Sequence, residues 1–355
     1  MRRVRLLAAT GITIGVAVAA LPGLASALPA RSPSPASTAA SAPAGLIAHH
    51  VRGCGPGVTV YTPRRPGTQP SARALGLPGG RSAILAAAAR WHARWMSTLT
   101  CESGPAGLVT SPSSRATSAL GLLNWSGYRD TSPAPDFVTA SWRVPKVCCS
   151  FEGNDGSVIW PGIGDATVKN TSLIQDGTAQ NVSSRNKASY FFWFEAVPET
   201  AIKRVTSLVP RPGDKVMVSA GYQTQVAHKA SYVLCDGRLS RCVNFVLKSR
   251  RPDNKVEWIA ERQEVCRSGH EWLPPMADFV HPELAITDGR YDLNGSGRPA
   301  FPISHGHPQR IFMAAGGTRI ATPRGLRSRG TAFTDLQNSP GTWSELKKNG
   351  RPIPC

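Results

Sequence analysis

Acidic residues are scarce in this sequence: 22 Asp and Glu stand against 41 Lys and Arg, and the formal net charge is +19. Such a charge attracts acidic surfaces and anionic polymers over long range. However, no run of Lys or Arg is interleaved with aromatic residues, the pattern typical of proteins that bind single-stranded nucleic acid. We therefore attribute the charge to a basic surface and expect no specific nucleic-acid partner.

Long apolar runs are missing beyond the N-terminus. Residues 1–5 include three arginines, an apolar run covers residues 6–21, and Ala25-Ser26-Ala27 forms a small-residue cleavage pattern. No later segment approaches the roughly 20 apolar residues that a membrane-spanning helix needs. The sequence predicts a signal peptide over residues 1–27, a secreted, extracellular product and no membrane anchor.

Metal-site spacing is also missing. No cysteine pair has zinc-finger spacing, and the histidines fit neither a metal site nor a Ser-His-Asp triad. We therefore expect no metal and no cofactor. Eight cysteines in an exported chain indicate disulfides instead. Cys54 with Cys101 and Cys235 with Cys242 are candidate pairs, although the spacing leaves the full connectivity open.

The first part of the mature chain has a leader-like composition. Residues 28–45 are mainly Ala, Ser and Pro, too poor in large apolar side chains to fold alone, and residues 81–99 show the pattern of one helix. We interpret residues 28–120 as a leader or propeptide. The alternative is a structural N-terminal extension that stays attached.

The remainder, residues 121–355, consists of short alternating segments separated by Gly, Pro, Asn and Asp, a pattern typical of antiparallel strands. At least nine strands without intervening helices predict an all-β sandwich or barrel. The predicted strands cover residues 138–144, 157–163, 188–197, 215–223, 230–235, 242–248, 256–265, 277–287 and 310–314.

Alternation along two of these strands predicts which side chains share a face, because residues i, i+2 and i+4 of a strand point to the same side. Glu195 shares a face with Trp193, and Glu257 shares a face with Glu261. Each strand therefore has an apolar face and a mixed face that bears carboxylates. A polar and aromatic concave face is a natural substrate groove.

Two residues on strand-like segments have complementary chemistry. Gln175 lies within residues 172–177 and Glu257 within residues 255–261. A carboxylate can take a proton from water, and an uncharged amide can donate a hydrogen bond to a developing oxyanion. These two groups are the minimum set of catalytic groups for hydrolysing an amide without a metal or a covalent intermediate. The pair indicates a peptidase.

Seven short segments around this pair occur in the same order as in the glutamic peptidases of the eqolisin family, peptidase family G1. They are NWSG (124–127), WRVP (142–145), WPGIGD (160–165), LIQDG (173–177), FWFEAVP (192–198), EWIAE (257–261) and LPPMADF (273–279). The sequence therefore resembles that family. Each segment is weak alone, and their order and spacing make the resemblance specific.

The resemblance implies an antiparallel double-sheet β-sandwich of the lectin-like jelly-roll type. It also implies an acid-acting endopeptidase in which Gln175 and Glu257 match the catalytic glutamine and glutamate. Glu257 would serve as general base and then general acid, while Gln175 would stabilise the oxyanion. The resemblance further implies supporting roles in the substrate cleft for Trp160, Asp165, Trp193 and Glu195.

The sequence departs from the family at two points. Val197 stands where the family usually has Tyr, which removes a hydroxyl from the cleft, and the best-known members are acidic rather than basic. Polypeptides are the expected partners, and we expect a monomer. Considered without the family, Glu195 and Glu261 are expected to be solvated or ion-paired residues of a sheet face.

Two other functions fit part of the pattern. A retaining glycosidase on a jelly roll would use Glu195 and Glu257 as nucleophile and acid/base, but it gives Gln175 no role. A non-catalytic, lectin-like protein that binds cell wall or polyanions would use the basic surface. Activity that survives Gln175→Ala would favour the first, and adhesion without turnover would favour the second.

Overall fold

The computed structural model describes residues 46–51, 53–55, 57–63, 94–95, 99–104, 116–118, 121–131, 135–150, 153–165, 172–223, 228–293 and 301–355. All of them belong to one unit, Ala42–Cys355. Within these ranges the chain forms 28 β-strands, one 3-10 turn at Ile303–His305 and no α-helix. The predicted all-β fold is confirmed.

The strands of the first half of the chain, in order, are β1 (Leu46–His50), β2 (Thr59–Pro63), β3 (Arg94–Trp95), β4 (Cys101–Ser103), β5 (Ala116–Ser118), β6 (Gly121–Leu122), β7 (Trp125–Asp130), β8 (Pro135–Arg143), β9 (Val147–Cys148), β10 (Asp155–Gly164), β11 (Leu173–Val182), β12 (Ala188–Val197) and β13 (Thr200–Val205).

The strands of the second half are β14 (Lys215–Gln223), β15 (Lys229–Asp236), β16 (Arg241–Lys248), β17 (Val256–Arg262), β18 (Val265–Arg267), β19 (His270–Leu273), β20 (Asp278–Phe279), β21 (Glu283–Leu293), β22 (Phe301–Pro302), β23 (Gln309–Ala315), β24 (Thr318–Pro323), β25 (Phe333–Gln337), β26 (Ser344–Glu345), β27 (Lys347–Lys348) and β28 (Arg351–Pro352).

Two antiparallel sheets pack face to face. The front sheet has the order β4-β13-β12-β11-β10-β17-β7-β23. The back sheet has the order β2-β16-β15-β14-β8-β21-β25-β24. Strand β23 joins them, because its first half pairs with β7 and its second half with β24. The predicted double-sheet β-sandwich is therefore confirmed.

Alternation along β12 shows how the sequence builds the two layers. Phe192 and Phe194 are buried in the core between the sheets, whereas Phe191 and Trp193 belong to a separate buried cluster on the outer face of the front sheet. Burying one such large apolar side chain contributes about 1.5–3 kcal/mol to folding. The predicted division of β12 into an inner and an outer face is confirmed.

Indole donors connect the two sheets through the core. Trp142 Nε1 donates to Thr178 Oγ1 at 3.0 Å, and Trp258 Nε1 donates to the Thr139 carbonyl at 3.0 Å. A buried indole N–H without a partner is costly, so these bonds favour one relative placement of the sheets.

The observed bounds of two strands agree with the bounds predicted from the residue pattern. Predicted strands 188–197 and 215–223 coincide with β12 and β14. The prediction of one strand over 277–287 is wrong, because two strands, β20 and β21, occupy this region. Pro282 lies between them, and a proline has no N–H to donate to a sheet ladder.

N-terminal segments extend the edges of both sheets. Strand β4 pairs with β13 of the front sheet, and β2 and β3 both pair with β16 of the back sheet. The helix predicted over 81–99 lies outside the described residues, except for Leu99 and for residues 94–95, which form strand β3. The signal peptide and the domain boundary near residue 120 remain predictions.

Both candidate disulfides are present, Cys54–Cys101 and Cys235–Cys242, and a third bond links Cys266 to Cys355. The sequence did not predict this third pair, whose members are 89 positions apart. The adjacent cysteines 148 and 149 are free. No helix in the described part of the chain is both long enough and apolar enough to cross a bilayer.

Candidate active site

Five residues form one row across the front sheet, which we name the central row. Gln175 is paired with Glu195 on one neighbouring strand and with Gly162 on the other. Gly162 is paired in turn with Glu257, and Glu257 with Arg129. Directly paired residues of antiparallel strands project to the same side of a sheet. The sequence-predicted Gln175, Glu195 and Glu257 therefore share one face.

A glycine separates the amide from the carboxylate. Gln175 and Glu257 lie on the two strands that flank Gly162, so their Cα atoms are about 10 Å apart at ordinary strand spacing. A Cβ atom on Gly162 would come within 2.8 Å of Trp160 Cζ3. The Trp160 ring thus covers the position where a larger residue would project, in the centre of the row.

The side chain of Gln175 is held by Glu195. Gln175 Nε2 donates to Glu195 Oε2 at 2.6 Å, and Gln175 Oε1 is buried without a hydrogen-bond partner among the residues that the structure describes. The backbone carbonyl of Glu195 accepts from Tyr232 Oη at 2.7 Å, which anchors β12 at this level. An amide nitrogen carries two hydrogens, so one N–H of Gln175 remains for another acceptor.

Glu257 is fully buried and has one oxygen engaged. Its Oε1 accepts from Arg129 Nε at 2.7 Å, whereas its Oε2 is buried and has no hydrogen-bond partner in the described ranges. Burial raises the pKa of Glu257 to about 7, and the opposite effect of the Arg129 charge limits that rise. A carboxyl group that titrates near neutral pH and has a free oxygen is suited to general-base chemistry.

Asp165 and Lys255 form an ion pair beside the row. Asp165 follows β10 directly, and Lys255 lies two residues before Glu257. The negative charge of Asp165 raises the pKa of Glu257, and the positive charge of Lys255 lowers it. Gly164 permits the chain to turn here, because its φ is 118° and a Cβ atom would lie 2.0 Å from the Ser172 carbonyl oxygen.

A second carboxylate pocket lies further along β17. Glu261 Oε2 accepts from Trp160 Nε1 at 2.7 Å, and Glu261 Oε1 accepts from Asn124 Nδ2 at 3.3 Å. Burial raises the pKa of Glu261 to about 8. The expectation that Glu195 and Glu261 are solvated or ion-paired is wrong, because both are buried and bonded to neutral donors.

The aromatic residues predicted for the cleft lie on the same outer face. Trp160 and Trp193 belong to one buried cluster, and the Trp160 ring meets the Trp125 ring edge-on at a centroid distance of 5.2 Å. Val197, two residues from Glu195, is half-buried and packs against this cluster. The structure thus brings together all six sequence-predicted site residues or places them next to the row.

Sequence reasoning missed Arg129 and Gly162. Arg129 lies four residues after Trp125 and therefore on the same face of β7, a signal that alternation already contained. Gly162 carried no chemical signal of its own, since its role depends on pairing with two other strands. In the described ranges, no three His, Cys, Asp or Glu side chains are grouped so as to hold a metal ion.

No protein-family model and no curated protein matches the sequence. Among solved structures, scytalido-glutamic peptidase with a transition state analog inhibitor aligns at a TM-score of 0.51 and 19% identity, covering 61% of this chain and 98% of that chain. The same peptidase with a peptide-based transition state analog aligns at 0.50 and 19%, with the same coverage. At this identity the likeness shows a shared fold.

Proposed function

We propose that this chain is a secreted endopeptidase that hydrolyses peptide bonds by direct attack of water. The observation that carries the proposal is the central row, in which Glu257 and Gln175 lie at the same level of one sheet face. Within the described part of the chain, one oxygen of Glu257 has no hydrogen-bond partner and one amide hydrogen of Gln175 is left to donate. The fold similarity to a glutamic peptidase solved with transition state analogs supports it.

In the proposed reaction, Glu257 acts twice, first as a base and then as an acid, and Gln175 acts as a hydrogen-bond donor. Glu257 Oε2 takes a proton from water while the water oxygen bonds to the scissile carbonyl carbon, and the carbonyl electron pair moves onto its oxygen. Gln175 donates a hydrogen bond to that oxyanion, an interaction worth about 10²–10³ in rate. The carbonyl then re-forms, the C–N bond breaks, and Glu257 returns the proton to the leaving nitrogen.

The pH dependence is the point at which the proposal departs from the family resemblance. The resemblance implies an acid-acting enzyme, whereas burial raises the pKa of Glu257 to about 7. A general base must be ionised, so we propose that kcat/KM rises with pH through about 7. Gln175 cannot titrate, and its donor role is the same on both sides of that value.

The glycosidase alternative fits the row less well. Glu195 and Glu257 are separated by two intervening strands, about 14 Å between Cα atoms, so their side chains would have to converge across those strands to reach the carboxyl separation of about 5–5.5 Å found in retaining enzymes. Each carboxyl group also has a different partner, Gln175 for Glu195 and Arg129 for Glu257. The row thus favours amide hydrolysis.

The test is cleavage of a denatured protein and of a fluorogenic peptide by the secreted wild type and by Gln175→Ala and Glu257→Gln. We expect kcat/KM to fall about 10³-fold or more for Glu257→Gln and about 10²–10³-fold for Gln175→Ala. Glu283→Gln is the matched control, because Glu283 is an exposed residue at the start of β21 in the back sheet. Wild-type turnover by either site variant would contradict the proposal.

A further inference from the structure

We propose that Arg129 is a positioning residue for the reaction at Glu257. Its guanidinium fixes Glu257 Oε1, so that Oε2 alone faces the attacking water, and its charge favours the ionised form of the buried carboxylate. This inference rests on the proposed function and extends it to the conditions under which the site works.

Strand pairing places the side chains of Arg129 and Glu257 next to each other. Arg129 and Glu257 are directly paired on β7 and β17, and Nε and Oε1 are 2.7 Å apart. Glu257 is 0% exposed and Arg129 is 17% exposed, so water screens this ion pair weakly. The guanidinium also lies 5.6 Å from the centre of the Trp125 ring, a cation–π contact that restricts its position.

Two atoms of this pair are left without partners. Glu257 Oε2 and Arg129 Nη2 are both buried and accept or donate no hydrogen bond within the described part of the chain. One water molecule that donates to Oε2 and accepts from Nη2 would satisfy both atoms. Such a water would already lie at the base that deprotonates it, with its second lone pair free to attack a carbonyl carbon.

Among the charged groups around Glu257, Arg129 has the largest effect on whether its carboxyl group is ionised. Asp165 and Lys255 act on the pKa of Glu257 in opposite directions and are paired with each other, so Lys255 offsets part of the effect of Asp165, and the effect of the Arg129 charge is larger than either. The acids on the same face, Glu195 and Glu261, are buried and bonded to neutral donors. Arg129 is ion-paired with Glu257 itself. A buried carboxyl group that loses its cation takes up a proton and can no longer act as a base.

The experiment measures kcat/KM for a fluorogenic peptide from pH 4 to pH 10 with wild type, Arg129→Lys, Arg129→Gln and Arg129→Met. Loss of the cation should shift the acid limb of the plot of kcat/KM against pH to higher pH, by about one unit or more, in Arg129→Gln and Arg129→Met. At pH 6 this shift lowers kcat/KM roughly tenfold or more relative to wild type, and the difference from wild type becomes smaller as the pH approaches 9. Arg129→Lys keeps the charge, and its limb should stay within about half a unit of wild type.

A loss of equal size at every pH, with the limb unmoved in Arg129→Gln and Arg129→Met, would overturn the inference and leave Arg129 a structural role only. Near-ultraviolet circular dichroism verifies that each variant is folded, and Arg129→Gln decides the question if Arg129→Met does not fold. Glu257→Gln separates the two proposals. If Glu257→Gln remains active, the proposed function fails. If Glu257→Gln is inactive but the acid limb of the Arg129→Gln and Arg129→Met pH profiles stays in place, only the role of Arg129 fails.

Discussion

Strand β17 carries two buried glutamates on the same face, four residues apart, and their pockets differ. At Glu257 a cation engages one oxygen, and no described residue is hydrogen-bonded to the other oxygen. At Glu261 neutral donors, Trp160 and Asn124, engage both oxygens. Both residues are glutamates, and both are buried. The difference teaches that reactivity depends on which atom a pocket leaves unbonded and on the charge of its neighbour.

The two pockets also share one side chain. Trp160 covers Gly162 in the central row with its ring and donates to Glu261 with its Nε1. The second pocket therefore fixes the orientation of a ring that borders the first. We interpret Glu261 as a support for the site rather than as a participant in the chemistry.

The largest expected effect separates the two glutamates directly. Glu257→Gln should lower kcat/KM about 10³-fold or more, because it removes the proton acceptor. Glu261→Gln keeps the volume and an acceptor for Trp160, so its loss should stay below about tenfold. Both are measured on the same peptide at the same pH. Losses of equal size would remove the distinction between the pockets.

Gly162→Ala should have the next largest effect. The added methyl group would come within 2.8 Å of Trp160 Cζ3 and 3.2 Å of the Ile174 carbonyl oxygen, so the ring must shift from its position over Gly162. Displacement of about 1 Å in a reacting site can cost about 10²-fold in rate. Gly325→Ala is the control, because nothing lies within 4 Å of a Cβ atom there. Unchanged kcat/KM in Gly162→Ala would mean that the row tolerates a side chain between its two working groups.

Trp160→Phe should affect stability through the second pocket. The substitution removes the donor to Glu261 Oε2, and a buried oxygen left without its partner costs about 1–3 kcal/mol. Urea unfolding measures this cost. Trp272→Phe serves as the comparison, since Trp272 Nε1 has no hydrogen-bond partner among the described residues. Equal destabilisation by the two variants would show that ring volume, not the hydrogen bond, is responsible.

The last expected effect is a pH dependence of the free energy of unfolding. Burial raises the pKa of Glu261 from its ordinary 4.5 to about 8, so the folded state binds this proton more tightly than the unfolded state does. The associated stability is complete below pH 4.5 and is lost as the pH rises through about 8. Melting temperatures at pH 5 and pH 8 should therefore differ less in Glu261→Gln than in wild type. An identical difference in both proteins would show that Glu261 does not titrate in this window.

The face patterns of single strands were predictable from the sequence. The alternation of Phe191 to Glu195 along β12 and of Glu257 to Glu261 along β17 assigns each side chain to a face without any knowledge of neighbouring strands. Gln175 and Glu257 were identified by their chemistry and by the order of the surrounding motifs. That the two residues lie close together was implied by the family resemblance, not by alternation along either strand.

Register between strands was not predictable in the same way. Arg129 and Glu257 are 128 positions apart, and nothing local to either residue specifies that they are paired. The same holds for Gly162, which is central only because two strands distant in sequence lie on either side of it. Pairing of this kind is decided by packing of the whole sandwich. A lone Arg or Gly therefore looked unremarkable in the sequence.

The Cys54–Cys101 disulfide joins two parts of the N-terminal segment to each other, and neither cysteine is bonded to the sandwich from residue 121 onward. A single cut between Gly104 and Ala116 would therefore convert one chain into a two-chain complex. Only non-covalent contacts, such as those of β4 with β13 and of β2 with β16, would hold it together. Retention of the N-terminal piece would then obey mass action and decrease on dilution.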